Sequence, residues 1–88
     1  MKVCLTKWIS WQKYRDSVYV FHEASQKVYL FSESAADFWM AAVSCEDADQ
    51  MLTHLCQLYG FGCADAISKD LMEFLNELVQ YGLVQEVM

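Results

Sequence analysis

SVYVFHEASQKVYLFSESAAD, residues 17–37, carries the change of pattern from which the rest of the chain can be read. Residues 17–23 are rich in Val, Tyr and Phe, side chains that suit a pleated, half-buried surface. After Ala24, Ser25 and Gln26, residues 27–31 resume the same chemistry, so the two segments form a hairpin. In the second segment Lys27, Tyr29 and Phe31 share one face, with Val28 and Leu30 on the other. From Ser34 the apolar period lengthens to that of a helix, with the Ser34 hydroxyl as cap and Asp37 three residues on. The first helix is expected over residues 35–43.

Working outward, residues 7–14 have strand chemistry too, and Arg15 with Asp16 makes the turn into the next strand. Downstream, Asp47 followed by Gln50 repeats the capping logic. Met51, Leu52, Leu55, Leu58 and Tyr59 then form the apolar face of a second helix that stops at Gly60. Asp65 is the expected cap of a third helix running to Tyr81 and ended by Gly82, with Leu83 and Val84 folding back onto the body. On this third helix Ile67, Leu71, Phe74 and Leu78 make one ridge, and Met72, Leu75, Val79 and Leu83 widen the apolar arc sideways. Lys69, Asp70, Glu73, Glu77 and Gln80 fill the wet face. The plan is α+β and winged-helix-like: a three-stranded antiparallel sheet followed by a three-helix bundle, in the order βββααα. With no proline, repeat or low-complexity segment to mark a linker, residues 1–88 are expected to be one domain.

Composition narrows the function. A hydrophobic fraction of 56% with 15% aromatics excludes a disordered chain and leaves apolar surface for a partner, because so small a domain has limited interior. The longest apolar run, residues 38–43, falls far short of the roughly 18 residues a membrane span needs. No apolar run of signal length follows the first lysines, so a cytoplasmic location is expected. Cys4, Cys45, Cys56 and Cys63 form no Cys-x-x-Cys pair and are expected to be free thiols, without metal. Residues 1–31 hold five bases against two acids, whereas residues 32–88 hold Lys69 against ten acids, so the halves present opposite fields.

Catalytic equipment is absent from the pattern. His22 and His54 are the available bases; His22 alternates with Val18 and Val20 as a packing residue, and His54 shares a wet helical face with Gln50 and Gln57. Glu46 and Asp47 sit at a helix start, where the dipole favours them. No glycine-rich phosphate loop exists among three glycines. The expectation is a protein with no catalytic residues and no cofactor.

The run Val18-Tyr19-Val20-Phe21, its hairpin, and Val28-Tyr29-Leu30-Phe31-Ser32-Glu33-Ser34-Ala35-Ala36 together resemble the signature of the PqqD family. Asp70-Leu71-Met72-Glu73-Phe74-Leu75-Asn76-Glu77-Leu78, closing at Gly82-Leu83-Val84, looks like that family's last helix. Phe31 and Ser32 stand where Leu-Asn is usual, and Ser32 is expected to take over the Asn cap. The resemblance implies a RiPP recognition element, a chaperone that binds the leader of a ribosomally made precursor peptide and delivers it to a modifying enzyme, often a radical SAM maturase. It also implies that the leader adds as a strand to residues 28–31 and rests against the third helix. The implied peptide-binding positions are Val28, Tyr29, Leu30, Phe31, Met72, Leu75, Asn76 and Val79; Lys27, at the start of the same strand, is expected to steer an acidic leader if the third helix packs beside that strand. The physics of an exposed strand edge beside an apolar helix flank agrees. The alternatives are an adaptor or homodimer using the same apolar strip, and a DNA-binding regulator. The last is disfavoured because Lys69 stands among Asp70, Glu73 and Glu77 on the helix that would meet phosphate.

Overall fold

The computed structural model describes residues 2–87; Met1 and Met88, which the expected domain includes, lie outside the described residues. Along the chain run β1 (Lys2–Leu5), β2 (Ile9–Tyr14), β3 (Ser17–His22), β4 (Lys27–Ser32), α1 (Ser34–Ser44), α2 (Ala48–Tyr59), a 3-10 turn (Phe61–Cys63), α3 (Ala64–Gln80) and β5 (Val84–Val87). The expected α+β plan of a three-stranded antiparallel sheet and three helices is present, with strand order β2-β3-β4. Two further strands were not expected: β1 and β5 pair antiparallel as a separate ribbon in the register Lys2↔Val87 to Leu5↔Val84. Val3 N–H donates to the Glu46 carbonyl and Thr6 N–H to the Leu83 carbonyl, which lashes this ribbon to the helices.

Alternation along the sheet decides its buried face. Val18 and Val20 are fully buried, and the register opposes them to Phe31 and Tyr29 on β4 and to Lys13 and Trp11 on β2. The opposite face carries Tyr19, Val28 and Leu30, all exposed. Trp39 of α1 is the hub between layers. It is wholly buried, its ring stacks on Phe31 at 5.7 Å between centroids, and Trp11 meets it edge-on at 6.3 Å. Phe74 of α3 meets Phe31 at 5.4 Å and Phe38 at 5.7 Å, both edge-to-face, the geometry that ring quadrupoles favour. Met51 and Leu55 of α2 and Leu71, Leu75 and Leu78 of α3 complete the core.

The helix ends correct several expectations. The N-cap of α1 is Glu33, in a positive-φ conformation (57°), and it makes no side-chain cap bond; Ser34 is the first helical residue and Ser32 the last of β4. The chain turns straight from sheet into helix here, with Glu33 N–H donating to the Asp16 carbonyl, which leaves neither serine in the capping position. Asp47 does cap α2, accepting from Asp49 N–H at 2.8 Å. Cys63 rather than Asp65 precedes α3, because the 3-10 turn feeds directly into it; Asp65 lies in the first turn instead. The far end of α3 is a Schellman closure: Leu83 N–H donates to the Leu78 carbonyl and Gly82 N–H to Val79, with Gly82 at φ 76°. Gln26, at φ 61°, takes the left-handed position of the β3–β4 hairpin where a glycine would be unstrained.

Leu58 and Tyr59 are exposed rather than core, since the last turn of α2 projects past the body, and Cys56 is buried in their stead. The Tyr59 hydroxyl donates to Asp37 Oδ2 of α1. That bond to a carboxylate, then burial, then the charge of Asp37 push the Tyr59 hydroxyl up to about 12. A raised tyrosine favours the folded state fully below about pH 10 and loses that contribution as pH climbs toward 12. Spectrophotometric titration should therefore show one of the five tyrosines ionising late. Tyr59→Phe should remove that step and cost at most about 1 kcal/mol at neutral pH, since both partners reach solvent. A titration unchanged by Tyr59→Phe would contradict the tether. No described helix is long and apolar enough to cross a membrane.

Candidate functional site

Among the described residues β4 is an edge strand, paired with β3 on one side only. In an antiparallel ladder, mutually bonded pairs recur at every second residue. The Glu33 N–H to Asp16 carbonyl bond (3.1 Å) puts pairs 18–31 and 20–29 in that set, so Phe31 and Tyr29 bond to β3. The N–H and C=O groups of Val28, Leu30 and Ser32 consequently point away from β3, along the open edge. Their side chains stand on the outer face, with Val28 63% and Leu30 57% exposed.

The inner face of this edge looks toward α3. Tyr29 stacks on Tyr81 at 4.9 Å, just past the end of α3, and Phe31 touches Phe74. β4 and α3 thus run alongside one another in opposite directions. Where β4 hands over to α1, a recess of about 260 Å³ is lined by Ser34, Ala35, Phe38, Asp70, Glu73, Phe74 and Glu77. Phe38 and Phe74 give it an apolar floor, and three carboxylates rim it.

The strand half of the expected site is brought together here. Lys27 is exposed at the start of β4, opposite His22; Val28 and Leu30 are exposed; Tyr29 and Phe31 are half-buried. The helix half is not. At about 100° per residue, Met72, Asn76 and Val79 lie about 140–160° around α3 from Phe74 and hence on the flank turned away from β4. Leu75 is wholly buried. Of the sideways extension of the apolar arc, Met72 and Val79 are exposed, and the flank that meets β4 is the one carrying Asp70, Glu73, Glu77 and Tyr81. A signal for this existed: Phe74 and Tyr81 are seven residues apart, on one face with the acids.

The histidines belong to separate elements. His22 Nδ1 accepts from Ser25 N–H at 3.1 Å and lies 2.9 Å from Ser25 Oγ, holding the β3–β4 turn, while His54 is on α2. Among the described residues, no three His, Cys, Asp or Glu side chains are grouped to hold a metal ion.

Residues 18–84 match the family model described as coenzyme PQQ synthesis protein D (PqqD). No curated protein matches this chain. A solved structure described as TbiB1 in complex with the TbiA(beta) leader peptide superposes with a TM-score of 0.85, covering 100% of this chain and 99% of the other. At 16% identity that likeness establishes a shared fold.

Proposed function

The chain belongs to the PqqD family, and from that premise we propose that it is a single, non-catalytic domain that binds the leader segment of a ribosomally synthesised precursor peptide. The leader adds as a strand along β4, and the domain presents the peptide to a separate modifying enzyme, a radical SAM maturase. The observation that carries this reading is the open edge of β4, whose Val28, Leu30 and Ser32 backbone groups face outward beside an apolar-floored recess. Main-chain groups on such an edge supply affinity for any extended peptide, and flanking pockets that meet alternate side chains supply selectivity. The fold shared with TbiB1, a protein whose structure holds a leader peptide, supports the same reading.

Within this reading Lys27, Val28, Tyr29, Leu30 and Phe31 form the strand template. The helical wall is the flank of Phe74 and Tyr81, in place of Met72, Asn76 and Val79. β2, the opposite edge, lacks an equivalent wall, since the aromatic pairs that tie sheet to α3 involve β4. The test is recovery of the tagged protein from its native cells, with mass spectrometry extended to peptides below the usual size cut-off. A short precursor peptide retained together with a radical SAM enzyme is the expected result. Recovery of only the protein itself, or of unrelated proteins, would overturn the reading in favour of an adaptor or homodimer.

A further inference from the structure

We infer that the peptide seated on β4 carries two or more basic side chains on the alternate positions that face α3. This rests on the strand-addition reading above and specifies the chemistry of its ligand. A strand laid along the open edge sends every second side chain inward, continuing the layer of Tyr29 and Phe31 toward α3, where the recess floored by Phe38 and Phe74 lies just past the end of β4. The rim these side chains meet is Asp70, Glu73 and Glu77, and no basic residue lines it. The three acids are spaced by three and four residues, so they share one face of α3. Along the helix axis Glu73 and Glu77 are about 6 Å apart and Asp70 and Glu77 about 10 Å. Inward side chains of an added strand recur about every 7 Å. Two Lys or Arg residues separated by one position therefore reach two of these carboxylates together. Their stems cover the phenylalanine floor while their heads stay at the wet rim.

Lys13 and Arg15 line a separate hollow that shares Ser34 with the recess, and the charged groups on the recess's own rim are all carboxylates. Residues 32–88 hold ten acids and only Lys69, which lies about 100° around α3 from Asp70 and away from β4. A peptide with acids at those inward positions would set like charges together over an apolar floor, which is unfavourable. Lys27 is at the other end of the strand, beyond the Tyr29–Tyr81 stack, so it does not neutralise this rim. An acidic side chain near Lys27 and basic ones near Asp70 to Glu77 are compatible in one peptide.

The test is selection of a displayed random dodecapeptide library on the intact, immobilised protein, followed by dissociation constants for a selected synthetic peptide. Lys or Arg should be enriched at two positions separated by one residue. Affinity should fall with added salt, and the Glu73→Lys/Glu77→Lys protein should bind about tenfold more weakly or worse. A peptide with the two bases replaced by Glu should regain binding to that reversed protein. Both variants lie on an exposed helix face, and helical circular dichroism checks that they fold. Selected peptides without the basic pair, or an affinity indifferent to charge reversal, would overturn the inference while leaving strand addition intact, provided Leu30→Pro still weakens their binding about tenfold or more. Failure to select any peptide, or selected peptides that bind the Leu30→Pro protein normally, would overturn both.

Discussion

A Leu30→Pro protein is expected to fold like its parent and to bind a leader peptide seated on β4 at least about tenfold more weakly. Leu30 sits in the middle of β4 with its N–H and C=O on the open edge, so proline there removes no bond to β3. Edge strands tolerate proline where the missing donor faces solvent. An incoming strand, however, loses its central donor and leaves one of its own carbonyls unpaired against the protein. A buried acceptor without a partner costs about 1–3 kcal/mol, and the pyrrolidine ring also blocks close approach of the added backbone. Together these correspond to roughly a 10- to 100-fold change. The register supplies the control: Tyr29→Pro removes a bond to Val20 inside the ladder and should destabilise the domain itself by about 3 kcal/mol. Fluorescence anisotropy with the labelled leader, run beside urea unfolding, separates the two. Undiminished affinity in a folded Leu30→Pro protein would rule out strand addition at β4.

Trp39→Ala should be the most damaging single substitution in the core, costing about 3–5 kcal/mol. Its ring joins Phe31 of the sheet, Trp11 of the opposite edge and the α1 layer, and no solvent reaches it. A domain of this size has roughly 4–13 kcal/mol of total stability, so the loss is a large share of what holds it. With a urea slope near about 1 kcal/mol per molar, the midpoint should fall by about 3 M, or the protein should be unfolded without denaturant. Trp39→Phe should be milder than its volume change alone suggests. The indole Nε1 is buried with no hydrogen-bond partner among the described residues, so its removal relieves a standing desolvation cost. A midpoint shift under about 1 M for Trp39→Ala would mean that the layers are held elsewhere.

The parts of the fold legible in the sequence were those with local causes. The three central strands and three helices announce themselves through periods of two and of about 3.6, and Asp47, Gly60 and Gly82 mark ends through cap chemistry that involves near neighbours. β1 and β5 were not legible, being four residues each and stabilised by one another from opposite ends of the chain. Glu33 escaped for a different reason: its positive φ is imposed by the sheet-to-helix junction, and nothing in a glutamate signals it. The site divides along the same line. The edge of β4 follows from strand order and alternation. Which flank of α3 faces that edge depends on the crossing of helix over sheet, and the wide apolar arc of α3 was compatible with either choice. Phe74 and Tyr81 resolve it through their contacts with Phe31 and Tyr29.

The β1–β5 ribbon sets how this domain can be coupled to another chain. Because Lys2 is paired with Val87, chain that continues beyond either of these residues departs from nearly the same point. The distance from tether to β4 is then almost indifferent to the end chosen. The effective concentration at which a tethered enzyme would meet a peptide seated on β4 is governed by linker length and stiffness, and a fusion designed in either order should give a similar local molarity.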